Sequence, residues 1–340
     1  MIEVAGLRKT YGNFAAVVDS TFSVGEGEVF GIVGPNGAGK TTTLKVLSGL
    51  VEPTAGEVTV AGFDSGNPEM RHRLGFLPEE SPLYEEMTPR SYLRFFADLY
   101  DVPSDVADDR IEATLDRLRL DHRERRLGDM SKGMKRKVAI ARSLVNDPDV
   151  LVYDEPASGL DPVTTDSVLQ FTRELRDAGK TVVFSAHNLY HVESVCDRVV
   201  VMNEGRIVAR GSVDGIRERH GETTYHVFSD VAPNRTDALA DIADADGPAA
   251  RTEEVGDRFR TAVPTMTAVE AVREAVTAAG GEVVDIRTRE PSLEDVFLDI
   301  VGRPMPGRYT AGTDGVPSDD ESTDDETDGG RVSGEPEGAK

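Results

Sequence analysis

Eight consecutive residues, Gly34-Pro35-Asn36-Gly37-Ala38-Gly39-Lys40-Thr41, have the make-up of a phosphate cradle. Their spacing fits G-x-x-x-x-G-K-[ST], in which glycines let the backbone curl until successive N–H groups face one anion. Lys40 is placed to reach the β- and γ-phosphates of a nucleotide, and the Thr41 hydroxyl to bind Mg²⁺. The alternative is a glycine-rich turn without a ligand; all eight positions fitting at once, between a strand and a helix, disfavours it. A second pair, Asp154-Glu155, closes the apolar run Val150-Leu151-Val152-Tyr153. Open α/β sheets bind ligands beyond the C-terminal ends of their strands, so two carboxylates emerging there can do chemistry. Asp154 is expected to hold Mg²⁺ through its water shell, and Glu155 to accept a proton from an attacking water.

These groups need elements to carry them. Val29-Phe30-Gly31-Ile32-Val33 reads as a buried strand feeding the glycine loop. Thr42 to Leu50 reads as the helix leaving it, whose positive N-terminal end faces the phosphates. The alternation in residues 1–25 (Ile2 to Leu7, Val17 to Val24) predicts antiparallel strands flanking that strand, continued by Glu57 to Val60. Between Pro89 and Asn146 the spacing turns helical: Leu93, Phe96 and Leu99; Ile111, Leu115 and Leu118; Met134, Val138, Ala141 and Val145. Val150 to Tyr153 and Thr181 to Ser185 read as parallel strands joined by a crossover helix, Pro162 to Ala178. Val199 to Met202 and Arg206 to Ala209 form a hairpin around Asn203-Glu204-Gly205. A second unit follows: a strand (Thr224 to Phe228), a helix (Asp237 to Ile242), two strands (about Ala249 to Pro264), a helix (Val269 to Ala279), a strand (Glu282 to Thr288) and a helix (Ser292 to Val301). That βαββαβ order suggests a split βαβ domain.

Charge narrows the partners. The chain has 38 basic and 62 acidic residues, a formal net charge of −24, which disfavours nucleic acid and anionic lipid surfaces. Residues 314–340 hold ten acids and two bases, only −8 of that total, so acidity is spread along the chain. This distribution suggests adaptation to high salt, where screening removes self-repulsion. Cys196 is the only cysteine, so no internal disulfide framework is expected and a reducing cytoplasm is the natural compartment. No stretch has the form of a signal peptide or the apolar length of a membrane span, so membrane work is expected to fall to a separate chain.

With the glycine loop and the Asp-Glu strand in place, the chain resembles the ATP-binding subunits of ABC transporters, strongly over residues 1–213. Tyr11, in Leu7-Arg8-Lys9-Thr10-Tyr11-Gly12, matches the aromatic on which adenine stacks, worth about 1–3 kcal/mol by analogy with nucleic-acid platforms. Met130-Ser131-Lys132-Gly133-Met134 stands in the place of the family signature. Ser158-Gly159-Leu160-Asp161 matches the loop after the catalytic glutamate, and His187 the switch histidine. The resemblance implies catalytic roles for Glu155 and His187. It implies that Tyr11, Gly34, Pro35, Asn36, Gly37, Ala38, Gly39, Lys40, Thr41 and Thr42 bind ATP, and that Thr41, Asp154 and Glu79 attend Mg²⁺. Ser131 and Gly133 contact ATP held by the other subunit, in a homodimer or beside a paralogous ATPase subunit. Two departures stand out. Glu79, in Phe76-Leu77-Pro78-Glu79, occupies the position where the family usually has Gln, and Lys132 replaces the first glycine of the usual Ser-Gly-Gly.

The fold class implied is α/β, a P-loop NTPase domain of ABC type with an antiparallel subdomain and an inserted helical subdomain, plus a small C-terminal α+β domain. The expected divisions are 1–214 (helical part about 85–147), 215–302, and an acidic disordered tail at 303–340. Pro291-Ser292-Leu293-Glu294-Asp295-Val296-Phe297 suggests the C-terminal extension of export-type subunits, of the drug, sodium and polysaccharide kind. The partner implied is a polytopic membrane permease on a separate chain, holding this one at the cytoplasmic face of the cell membrane; no nucleic acid is expected. The alternative is a soluble non-transport ABC ATPase, a mechanical or translation-associated factor. A single glycine loop, and no heptad array or Cys pair, disfavour it.

Overall fold

Runs of β-branched residues with no polar face build the centre of the molecule. In the computed structural model, which describes residues 1–220, 223–233 and 251–302, β3 (Val29–Val33), β7 (Val150–Tyr153) and β8 (Thr181–Ala186) are buried along their whole lengths. Strands covered on both faces require this. With β6 (Leu74–Leu77), β9 (Arg198–Asn203) and β10 (Arg206–Ser212) they form one sheet in the order β10-β9-β3-β8-β7-β6. Its pairs are parallel except for the β9–β10 hairpin. Register brings the C-terminal ends together, with Val33 beside Ala186, Tyr153 beside Phe184, and Leu77 beside Tyr153. Because β8 lies between β3 and β7, the segment leaving β8 emerges between the glycine loop and the Asp-Glu pair.

The predicted N-terminal strands exist but do not flank β3. β1 (Ile2–Tyr11), β2 (Phe14–Val24), β4 (Ala55–Val60) and β5 (Phe63–Asp64) make a separate antiparallel sheet in the order β2-β1-β4-β5. Their alternating pattern leaves one face wet, which suits a covering layer and not a position inside a doubly covered sheet. Their apolar face packs with α1 (Lys40–Leu47) on Phe30, Ile32, Val152, Val183 and Val200 of the central sheet. Phe22 stacks on Phe30 with centroids 5.4 Å apart.

The other face carries the helices α2 (Pro89–Leu99), α3 (Ser104–Arg117), α4 (Lys132–Arg142), α5 (Pro162–Asp177) and α6 (Leu189–Val195). Thr88 and Ser91 close a capping box on α2, and Asp161 caps α5, fixing both starts by satisfying orphan N–H groups. β6 is unannounced by its sequence pattern; its Gly75 is demanded by close approach, since a Cβ there would lie 2.0 Å from the Ser143 carbonyl oxygen. Cys196 packs against the same apolar cluster, and burial pushes its thiol pKa up.

After α7 (Val213–His220), β11 (Thr224–Ser229), β12 (Arg251–Val255), β13 (Arg258–Val263) and β14 (Val283–Arg289) form an all-antiparallel sheet in the order β12-β13-β11-β14. The helix Met266–Ala278 buries Ala268, Val269, Val272 and Val276 against it. The predicted helix at Asp237 to Ile242 and the acidic tail lie outside the described residues. The last helix among the described residues, Leu293–Gly302, does not join this small core. Leu293 and Val296 are buried among Val192, Val195, Val213 and Ile216. The Leu293 N–H donates to Glu193 Oε1 at 2.7 Å, and Glu193 pairs with Arg217 at 2.7 Å.

Candidate active site

At the C-terminal ends of the central strands lies a cavity of about 500 Å³, walled by residues 36–42 of the glycine loop and helix start, with Phe14, Ala16, Glu79, Glu155 and His187. The loop's path needs glycine. At Gly39, φ is +101°, and an added Cβ would sit 2.5 Å from the Ala16 carbonyl oxygen. A Cβ on Gly34 would meet the Met202 carbonyl oxygen at 2.3 Å. Lys40 is buried, and its Nζ donates to the carbonyls of Gly34 at 2.8 Å and Pro35 at 3.3 Å. The ammonium thus lies across the loop, where the start of α1 adds further positive potential.

The acidic side is held by one hydroxyl. Ser185 Oγ donates to Asp154 Oδ1 at 2.6 Å and accepts from the Glu155 N–H at 2.9 Å. Glu155 adopts φ of +48°, a left-handed conformation that costs a non-glycine residue about 1–3 kcal/mol and persists only where its surroundings impose it. Its Oε2 lies 2.8 Å from His187 Nδ1. One half of the cavity therefore offers N–H groups and an ammonium, the other carboxylates. Thr41 and Glu79 line the cavity, whereas Asp154 is buried on the Ser185 hydroxyl and is not part of the lining. Hydroxyl and carboxylate oxygens are the ligands a hard divalent cation such as Mg²⁺ takes while keeping waters and substrate oxygens.

Three residues that the sequence pattern does not single out matter here. Phe14, at the start of β2, walls the cavity, whereas Tyr11 does not appear in its lining. Tyr11 pairs with Phe14 across the β1–β2 turn, half exposed, with Lys9 Nζ 5.1 Å from its ring centre. Ser185 is a lone hydroxyl in an apolar run, and that exception is its only trace in the sequence. Arg136 is buried on α4, and its guanidinium donates to the carbonyls of Pro78, Glu79, Asp154, Glu155 and Pro156 at 2.7–3.0 Å. Burial pulls its pKa down to about 10, against the opposing pull of Asp154. It is the middle of Lys135-Arg136-Lys137, and nothing in that basic run sets it apart in the sequence.

The signature residues stand apart from the cavity. Ser131 Oγ accepts from the Met134 N–H at 3.3 Å, capping α4. Gly133 abuts α5, where an added Cβ would be 3.0 Å from Thr164. Thr164 in turn donates through its hydroxyl to Asp161 Oδ2 at 2.6 Å and through its N–H to Oδ1, bonds that hold the Asp161 carboxyl below its usual pKa. His191, one turn beyond His187, has its pKa lowered by burial and then by the neighbouring imidazole.

Residues 17–158 match the family model described as ABC transporter, and residues 211–301 the one described as ATP-binding protein DrrA1-3-like, C-terminal domain. The chain is 40% identical over 218 residues to the ABC transporter ATP-binding protein NatA of Bacillus subtilis, a span of 63% of this chain and 89% of that one. It is 33% identical over 313 residues to Nod factor export ATP-binding protein I of Cupriavidus pinatubonensis, covering 90% and 92% of the two. Among solved structures it is similar to a dimeric post-hydrolysis state of an ATP-binding cassette bound to ADP and Pi. That likeness has a TM-score of 0.58 at 25% identity and covers 62% of this chain and 98% of the other.

Proposed function

The chain belongs to the ABC transporter ATP-binding proteins of the export type, a family of ATPases, and from that premise we propose that two copies close on two ATP molecules to drive a separate membrane permease. The support is one juxtaposition: Lys40 and the glycine-loop N–H groups face the same cavity as Glu155 and His187. Phosphoryl transfer to water is mostly positioning and charge stabilisation, and this arrangement supplies both.

In this reading Lys40 exchanges its bonds to the Gly34 and Pro35 carbonyls for the β- and γ-phosphates. The N–H groups of residues 37–42 hold the same oxygens, and Phe14 or Tyr11 stacks on the base. Glu155 accepts the proton of the attacking water. His187, bonded to Glu155 through Nδ1, keeps that carboxylate aimed and leaves its other ring nitrogen for the γ-phosphate. Mg²⁺, when bound, neutralises phosphate charge, and Thr41, Asp154 and Glu79 are the residues that would hold it. Ser131 and Gly133, at the exposed start of α4, are assigned to the nucleotide of the other copy, whether identical or paralogous.

Among the described residues no helix is long and apolar enough to cross a membrane. We place the chain at the cytoplasmic face through a polytopic permease, by its likeness to export ATP-binding proteins. Residues 1–214 carry the nucleotide work, with 85–147 as the helical part, 215–302 the smaller domain, whose helix Leu293–Gly302 packs back on α6 and α7, and 303–340 an acidic tail. Purified protein in saline buffer is expected to release phosphate from MgATP, and failure to do so with its partner chain present would overturn the assignment. Tagged protein is expected to co-purify with a polytopic membrane protein; a purely soluble set of partners would favour the non-transport alternative.

A further inference from the structure

Glu79 faces two cavities. It lines the one that holds Lys40, Glu155 and His187, and also a second of about 470 Å³ bordered by Lys132, Lys135, Arg136 and Ser158. This second cavity is where the two departures from the family pattern meet, a carboxylate in place of an amide and an ammonium in place of a hydrogen.

Its basic groups differ in what they already hold. Arg136 is committed to backbone carbonyls, and Lys135 pairs with Glu85 at 3.4 Å. Lys132 has no ion-pair partner among the described residues. Its ammonium rests against Gly159, where an added Cβ would lie 2.3 Å from Nζ. The Glu79 carboxylate has no ion-pair partner within 4 Å among them, though its charge acts on Arg136 in the same cavity, and its backbone is fixed: Arg136 Nη1 holds the carbonyls of Pro78 and Glu79 at 2.7 and 3.0 Å. With Cα anchored and the side chain exposed, rotation about side-chain bonds suffices to move the carboxylate from one cavity to the other. Opposite charges in a partly enclosed cavity attract more strongly than in bulk water.

We infer that Glu79 and Lys132 form a charge-coupled pair, in which Lys132 draws the Glu79 carboxylate into the second cavity and so sets how much negative charge faces the nucleotide. Lys132 is then a positioning residue, acting through Glu79. The inference rests on the ATPase reading. It gives the two departures one physical role: a carboxylate left beside the γ-phosphate repels free ATP but favours the divalent cation of MgATP.

The test is nucleotide binding, titrated by fluorescent ATP analogue at fixed ionic strength, in EDTA and in excess Mg²⁺. Lys132→Gly is expected to weaken binding in EDTA at least threefold while changing MgATP binding less. Lys132→Arg keeps the native ratio. Glu79→Gln tightens binding in EDTA, and in its background Lys132→Gly has no further effect. If the Lys132→Gly effect is the same size with Glu79 or Gln at position 79, the coupling is refuted. Both side chains are exposed, so the variants leave the apolar core intact. Wild-type protein that binds no ATP would instead sink the ATPase reading itself.

Discussion

Ser185 fixes the orientation of the two carboxylate residues, which their adjacency in the chain alone does not do. The β7–β8 register sets Tyr153 beside Phe184, so the next residue of β8 presents its hydroxyl to the Asp154 carboxylate and the Glu155 N–H. The carboxylates were legible because an apolar run ending in Asp-Glu is a local pattern. Ser185 was not, because its value depends on which strand lies next to β7, and no local pattern says so. The same holds for Phe14, which faces the cavity only once β1 and β2 have turned back on each other. Replacing Glu155 with Gln preserves shape and the hydrogen bond to His187 but removes the base. Glu155→Gln is expected to lower hydrolysis by about 10²–10⁴-fold, the usual worth of general base catalysis. Nucleotide affinity should hold and closed dimers accumulate; phosphate-release kinetics beside a binding titration checks this, and near-native turnover would exclude Glu155 as the base.

Elements meet the site through α4. Arg136 ties it to the ends of β6 and β7 by donating to five backbone carbonyls. Arg136→Met keeps much of the apolar stem but strands five carbonyl contacts, with a desolvation cost of roughly 1–3 kcal/mol for each one left unpaired. Rearrangement and water will recover part of that, so a loss of about 3 kcal/mol is expected, seen as a lower urea midpoint. An unchanged midpoint would mean that α4 docks without it. Farther out, Glu112 of α3 takes Arg90 of α2 at 2.5 Å and Arg123 at 2.5 Å. The Arg90 hydrogen bond, outweighing desolvation and helped by Arg123, lowers its pKa from 4.5 to about 2. A depressed carboxyl pKa contributes stability that is full above its unfolded value and lost as pH falls through the folded one. Protection factors in α2 and α3, taken relative to the intrinsic exchange rate at each pH, are therefore expected to fall between about pH 4.5 and 2, and Glu112→Gln to flatten that pH dependence. Helical periodicity located α2 to α4 within a few residues, and the parallel strands on either side located α5. One-sided alternation correctly predicted strands in residues 1–25 but cannot say which sheet they join, and the four residues of β6 are too few to show a period.

For the molecule as a whole, charge is the dominant fact. A net −24 repels itself most strongly when the Debye length is long. Thermal midpoints are expected to rise steadily with NaCl, and a midpoint indifferent to salt between dilute buffer and molar concentrations would remove the case for saline adaptation. Ion pairs do not oppose this trend, since most are exposed and contribute little each. Sequence also suggested a chain divided in order, nucleotide domain first and small domain second. Spatially, the helix Leu293–Gly302 passes beyond the small sheet and settles on α6 and α7, over Val192, Val195, Val213 and Ile216. The helix Leu293–Gly302 therefore shields a greasy patch laid down about eighty to a hundred residues earlier. Anyone trimming this polypeptide to a minimal hydrolase by stopping at residue 214 would bare that patch and invite clumping. A fragment that also keeps Leu293–Gly302, joined to α7 through a linker, is expected to stay monodisperse where the one ending at residue 214 aggregates.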